Sequence, residues 1–423
     1  MKQLNRTILE SLRGSDAGLP PANAHAYPEK VLQFGTGVLL RGLVDNILNE
    51  ANSRGKFAGR VLVVKSTEGG DHAAFEEQDH LYSIWTRGLQ QGQQIDRIRI
   101  SNVISRVIKA QSNWAAVLEA AGSPALEIIV SNTTESGIAY DASDREGPAA
   151  PASYPGKLLA FLHARFRAFQ GDPKAGMVII ATELIPGNAQ ELKRICVQLA
   201  EDWKLSASFL DWFHRHNHFC NSLVDNIVTG KLSETEAREF EQRCGYRDEL
   251  LVVNEPYRLW AIETGDEGVR QKLSFCYEGS GAIAVPDIDV HRDLKLFLLN
   301  ATHSLCCGLA IAAGFRLVRE AMADAAFRQF AEKLMREEIA PVILNAQISE
   351  AMAAQFAGFV LDRFSNPFLD HAWSSIASHY EEKMKMRVAP LVKRYAAWGK
   401  EVPERMAQGI AGYLQYTHQE SWK

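Results

Sequence analysis

The chain of 423 residues is 46% hydrophobic and 23% charged, with a net charge of −5. That length exceeds one ordinary hydrophobic core, so two domains are expected. The interspersed charges exclude the basic stripe of a nucleic-acid binder. The longest nearly apolar run, 305–315, is shorter than the roughly 18 residues of a membrane span. Residues 1–26 hold no continuous apolar core, so no signal peptide is expected. Six scattered cysteines without a C-x-x-C pair suggest no disulfide framework and no zinc or redox motif, which fits the reducing cytoplasm.

In chain order, residues 1–26 read as a tail or leader helix closed by Leu19-Pro20-Pro21. From Lys30 onward, strand-like runs alternate with helical patterns. Val31-Leu32-Gln33-Phe34, 60–64, 126–130 and 177–181 are near-continuous apolar runs. Such runs mark strands buried on both faces, as in a parallel sheet flanked by helices. The expected fold is therefore α/β, a doubly wound sheet domain over 27–283. After about residue 190 helical patterns dominate, and a stretch at 265–286 is expected to return a strand or two to the first domain. A mainly α-helical C-terminal domain is expected over 284–423.

Gly35-Thr36-Gly37 follows the first strand and opens a helix. Glycines there permit a tight turn and close approach of a pyrophosphate, which the helix N-terminus attracts. The third fingerprint position is Leu40 rather than glycine, but the strand–turn–helix setting favours a dinucleotide. For NAD the second strand should end in an acidic residue that binds the ribose hydroxyl. The chain offers Lys65, which suits a 2′-phosphate, and the later Glu68, so NAD and NADP both stay open here. Ser131 to Glu135 follows a strand end, where α/β sites gather.

The segment 293–305 reads as a helix that is apolar nearly all round, hence buried. At about 100° per residue, His303 lies roughly 80° and Asn300 roughly 140° round the helix from Lys295. A buried lysine is costly unless paired or neutralised, and so suits proton exchange. An amide beside it can stabilise a developing alkoxide. The trio matches hydride transfer at a ketone. The alternative is a lysine that snorkels to the surface beside two satisfied core polar groups.

Lys295-x4-Asn300-x2-His303 resembles the signature of the mannitol dehydrogenase family, the polyol-specific long-chain dehydrogenases. Further segments agree in order: Gln33-Phe34-Gly35-Thr36-Gly37 with Arg41, Ser131 to Gly137, Asn221 to Asp225, Glu255-Pro256 with Trp260, and Arg363 to Pro367. The resemblance spans about residues 28–395 and implies a Rossmann-type domain, a helical domain and zinc-independent catalysis. It implies Lys295 as general acid/base, Asn300 as oxyanion donor and His303 as a substrate-positioning residue. It also places the cofactor against Phe34, Gly35, Thr36, Gly37, Glu68, Asn132, Thr133, Thr134 and Glu135.

Polyol members carry a Cys-Asp-Asn element after the 177–181 strand, whose asparagine is a second oxyanion donor. This chain has Thr182-Glu183-Leu184, with Asn188 as a possible substitute. The Glu-Leu-Ile-x2-Asn form is similar to the tagaturonate reductase (altronate oxidoreductase) branch, which uses NAD(H). That branch usually has arginine after Asp225, where this chain has Asn226. A uronate or aldonate carboxylate calls for a cation. Arg363, Lys383 and Arg387 are the candidates, with a plain solvated helix face as the alternative for both Lys385 and Arg387.

The expected reaction is reversible reduction of D-tagaturonate to D-altronate, by a monomer or homodimer with no nucleic-acid or membrane partner. The alternatives are fructuronate/mannonate or polyol oxidation, and a non-catalytic nucleotide sensor. No metal site is expected. His214-x-His216-x-His218 would have to be extended to bind one ion, and it reads as helical. Asp287, Asp289 and His291 read as a turn and helix cap.

Overall fold

The computed structural model describes residues 1–13, 18–66, 72–133, 137–230 and 232–420. They form two compact units. The first comprises Met1–Thr86, Arg97–Asn254 and Arg258–Ile288. The second comprises Arg87–Asp96, Glu255–Tyr257 and Asp289–Lys423.

The first unit contains strands β1 (Glu29–Phe34), β2 (Arg60–Lys65), β5 (Ile104–Lys109), β6 (Ile128–Ser131), β7 (Val178–Ala181) and β8 (His218–Cys220). β3 (Tyr82–Gln90) and β4 (Gln93–Ser101) lie between β2 and β5 in the chain. The six strands form a parallel sheet in the order β5-β2-β1-β6-β7-β8. The order reverses between β1 and β6, the point at which doubly wound sheets open a binding crevice.

Alternation explains why both faces are filled. Leu32, Phe34, Leu62, Val64, Ile129 and Ile179 enter one core. Their neighbours Val31, Val61, Val63, Ile128, Val130, Val178 and Ile180 enter the other. Truncating a fully enclosed side chain such as Leu32 to alanine costs about 2–5 kcal/mol.

Beyond residue 190 the structure departs from the helical expectation. The helix Ala207–His216 ends at Asn217, and His218 opens β8, so the three histidines straddle a helix end and a strand. β9 (Ser222–Asp225), β12 (Leu259–Glu263) and β13 (Ala282–Val285) make a three-stranded sheet. β10 (Val228–Thr229) and β11 (Val252–Asn254) join β3 and β4 in a four-stranded one. These strands are two to five residues long, too short to print a period on the sequence. The N-terminal residues pack too: Leu4 and Leu9 are buried in a cluster with Trp85, Phe240 and Tyr246.

The second unit is helical around Asp289–Ala312. By composition that helix is apolar enough to cross a membrane, but 67% of its most apolar window is buried, as in a core helix. The β3–β4 tip belongs here because Asp362 accepts from Gln91 N (2.6 Å) and Gly92 N (3.1 Å). Arg87 also lies over Phe368 at 4.1 Å. At the C-terminal end the helix Glu404–Glu420 crosses the core helix backbone to backbone. A Cβ on Gly308 would meet Gly412 O at 2.3 Å, and one on Gly409 would meet Leu305 O at 2.8 Å.

Candidate active site

In the first unit the turn after β1 is shaped by its glycine and held from beneath. Gly35 adopts φ 120°, and a Cβ there would come within 3.2 Å of Asn132 O and of Leu40. Gly37 faces open space. Gln33, fully buried, donates to Gly35 O at 3.2 Å, and Arg41 donates to Thr36 O at 3.2 Å and to Leu250 O. The turn's carbonyls are thus held by the protein and Gly35 N donates to Val64 O at 3.0 Å, which favours the N–H groups of Thr36 and Gly37 as anion donors. Asp45, buried beside Gln33 and Tyr82, has a carboxyl pushed up to about 7 by burial.

β6 ends beside this turn. Asn132 N donates to Phe34 O at 3.3 Å, while its amide donates to the Thr182 hydroxyl at 3.0 Å. Thr133 N and Oγ1 both reach Glu183 Oε1 at 2.9 Å, and Ser131 Oγ reaches Oε2 at 3.2 Å. Buried Glu183 therefore fixes the end of β6 from the end of β7. The structure brings Phe34, Gly35, Thr36, Gly37, Asn132 and Thr133 together at the sheet's reversal point. This cradle fits a dinucleotide's pyrophosphate. Glu68, Thr134 and Glu135 lie outside the described residues, and Lys65 is buried at the end of β2.

Asn188 does not substitute as an oxyanion donor. Its two amide N–H groups are engaged by Glu183 O (3.0 Å) and Ser222 O (2.9 Å), and its oxygen accepts from Ser222 N (3.1 Å). It clamps the β7 loop to β9. Leu184 stands 60% exposed after β7.

In the second unit the segment around Lys295 is wider than an α-helix. Leu294–Ala301 is a π-helix, with i→i+5 hydrogen bonds. Residues five apart then fall on one face, so Lys295 and Asn300 are neighbours across one turn rather than 140° apart. Lys295, Asn300 and His303 are all partly exposed, so the fully enclosed lysine expected from the sequence is corrected. The apolar positions Phe297, Leu298 and Ala301 face the core instead.

The His303 ring stacks on Phe364 at 4.0 Å and stands edge-on to His371 at 5.2 Å. Burial first, then electrostatic repulsion by His371 when protonated and by Arg363, Arg387 and Lys383, hold its imidazole well below the usual range. His303 is therefore neutral at pH 7. Arg363 forms a two-bond ion pair with buried Glu255, so its charge is matched within the protein.

Lys383 donates to Ile376 O (2.8 Å) and the Ser378 hydroxyl (3.3 Å). Arg387 donates to Asn300 O (3.4 Å) and the Ser304 hydroxyl (3.2 Å). These partners are neutral. Burial lowers both basic groups, and Arg387 further lowers Lys383. Lys385 pairs with Glu381 at 2.6 Å on the outer face. His371 and Tyr380, which join this cluster, carried no motif in the sequence; only their burial reveals them.

Two family models divide the chain much as its two units do. The mannitol dehydrogenase Rossmann domain matches residues 29–274, and the mannitol dehydrogenase C-terminal domain matches 287–422. The chain belongs to the mannitol dehydrogenase family. It is a dehydrogenase acting at a CH–OH carbon. An altronate oxidoreductase of Bacillus subtilis is 38% identical over 93% of this chain and 80% of its own length. One from Halalkalibacterium halodurans is also 38% identical, over 92% and 75%. A D-sorbitol dehydrogenase crystal structure shares the fold, with TM-score 0.81, 19% identity, and coverage of 98% of this chain and 85% of that one. Pseudomonas fluorescens mannitol 2-dehydrogenase, in a complex with NAD and D-mannitol, shares it at TM-score 0.72 and 21% identity, with coverage of 98% and 84%.

Proposed function

We propose that this member of the mannitol dehydrogenase family interconverts D-tagaturonate and D-altronate with NAD(H). The observation that carries the reading is the pair Lys383 and Arg387. They are cations held by neutral partners, and Arg387 bonds the backbone of Asn300 itself. A uronate carboxylate supplies the charge they lack, with charge-assisted bonds. The altronate oxidoreductase names of the relatives support the same substrate class.

The residues then divide the work. The Gly35–Gly37 turn, with Asn132 and Thr133, holds the dinucleotide. When bound, NADH supplies hydride to the ketone carbon, and NAD⁺ accepts it in the reverse direction. Lys295 gives a proton to the ketone oxygen on reduction and removes it from the hydroxyl on oxidation. The Asn300 amide donates to the same oxygen as charge develops there. Neutral His303, braced by Phe364, offers a ring nitrogen to a substrate hydroxyl. Lys383 and Arg387 orient the carboxylate. The six cysteines are free thiols, in keeping with work in the cytoplasm.

The test is steady-state NADH oxidation with tagaturonate, fructuronate and neutral fructose, for the wild type and Lys295→Ala. Tagaturonate should give the highest kcat/KM, and the variant should bind NADH without turning over. Preference for fructose sinks the uronate reading, and preference for fructuronate moves it to the mannonate branch. Near-wild-type turnover by Lys295→Ala removes the proton role.

A further inference from the structure

The helix bearing Lys295, Asn300 and His303 is gripped from outside by the helix Tyr380–Arg387. Tyr380 is 5% exposed, and its hydroxyl enters the backbone of the helix it packs against. It donates to Ser304 O at 2.6 Å and accepts from Gly308 N at 3.0 Å. Ser304 and Gly308 are four apart, the pair that an α-helix joins directly. A side chain inserted into that ladder bends the helix. Burial first, then the Cys307 thiol, push the phenol above its usual range, so it keeps the proton it donates.

The insertion point adjoins His303. Arg387, seven residues along the same gripping helix, reaches Asn300 O and the Ser304 hydroxyl. One short helix therefore holds consecutive turns on either side of the imidazole. A second, independent observation lies just before it. His379 adopts φ 49° and ψ 43°, the left-handed region that is uncommon for a non-glycine residue. Backbone of this kind gathers at functional sites. Here it starts the helix with Tyr380 turned inward.

We propose that Tyr380 is a positioning residue whose hydroxyl sets the turn that aims Asn300 at the ketone oxygen and His303 at a substrate hydroxyl. This rests on the reading of Lys295, Asn300 and His303 as the catalytic segment. Tyr380→Phe removes one oxygen and keeps the ring against Tyr413 (4.8 Å) and Tyr416 (5.7 Å). The full-length wild type and variant are compared on four readouts. These are turnover with whichever ketone the wild type reduces best, NADH binding by fluorescence, melting temperature, and the His303 imidazole signals in nitrogen-15 spectra across pH.

The expected result is a kcat lower by about tenfold or more, unchanged NADH affinity, a melting temperature shifted little, and displaced His303 signals. Unmoved His303 signals with unchanged kcat overturn the proposal. A lower melting temperature with unchanged kcat per folded molecule also overturns it, since that is a purely structural role. If the wild type prefers a neutral ketose, the uronate reading falls, while this comparison proceeds on that ketose. If the wild type reduces no ketone at all, the catalytic reading falls, and the His303 signals alone decide whether Tyr380 sets the turn.

Discussion

Arg363 and Glu255 meet through two parallel bonds, Nε to Oε2 at 3.0 Å and Nη2 to Oε1 at 2.9 Å, with both side chains almost wholly enclosed. The Tyr257 ring lies 4.8 Å from the guanidinium. Removing one charge leaves the other buried without its partner, which costs about 3–5 kcal/mol. Glu255→Gln should therefore lower the unfolding free energy by that order in urea titrations. The double change Glu255→Leu with Arg363→Met should recover much of the loss, because an apolar pair buries no charge. A loss under about 1 kcal/mol for Glu255→Gln would show the pair to be solvated rather than enclosed.

The imidazoles of His303 and His371 both titrate below the ordinary range, burial being the first cause for each. In the unfolded chain each takes up a proton near pH 6.5 or so. The folded state then binds fewer protons, so the contribution to stability is fully present above about pH 6.5 and is lost as pH falls below it. Asp45 acts with the opposite sign. Its folded carboxyl titrates near 7 because of burial, so that contribution is present at low pH and lost as pH rises from the unfolded carboxyl range through 7. A raw pH profile mixes the two. The difference between the wild type and His303→Asn isolates the imidazole, and it should shrink as pH drops from 7 to 5. A difference independent of pH contradicts the neutral ring.

Arg387 offers a test of the substrate class. Loss of a charge-assisted bond costs about 1.5–3 kcal/mol. Arg387→Met should then lower kcat/KM for tagaturonate by about ten- to a hundredfold. Because Arg387 also holds Asn300 O, the control is turnover of a neutral ketose by the same variant. Equal losses for acid and neutral substrates would assign Arg387 to holding the helix rather than to the carboxylate.

Much of this is legible in the amino-acid sequence alone. Unbroken Val and Ile runs such as 177–181 reveal a sheet buried on both sides, since no alternation is needed where neither face meets water. The Lys-Asn-His spacing carries its chemistry in residue type. What escaped was set by distant parts of the chain. β8 is three residues long and acquires its identity by pairing with β7. The wide turn at Leu294–Ala301 alters which side chains are neighbours, and an α-helical projection cannot express that. Asn188 and Arg363 had the right chemistry for the substrate, but Ser222 and Glu255, each remote in sequence, occupy them. A motif shows what a side chain is able to bind; only the fold shows what it already binds.

The contact between Gly308 and Gly412 has a bearing on how this chain can be varied. Two peptide planes meet there with no side chain between them to yield, so any displacement of the last helix passes undamped to the turn after His303. A stretch with no reactive group, some 110 residues downstream of that histidine, is thereby tied to the geometry of the turn that carries it. Libraries built to change the chemistry should hold positions 409 and 412 constant. Variants isolated elsewhere in the terminal helix should be read for what they do to the geometry of the site as well as to its stability.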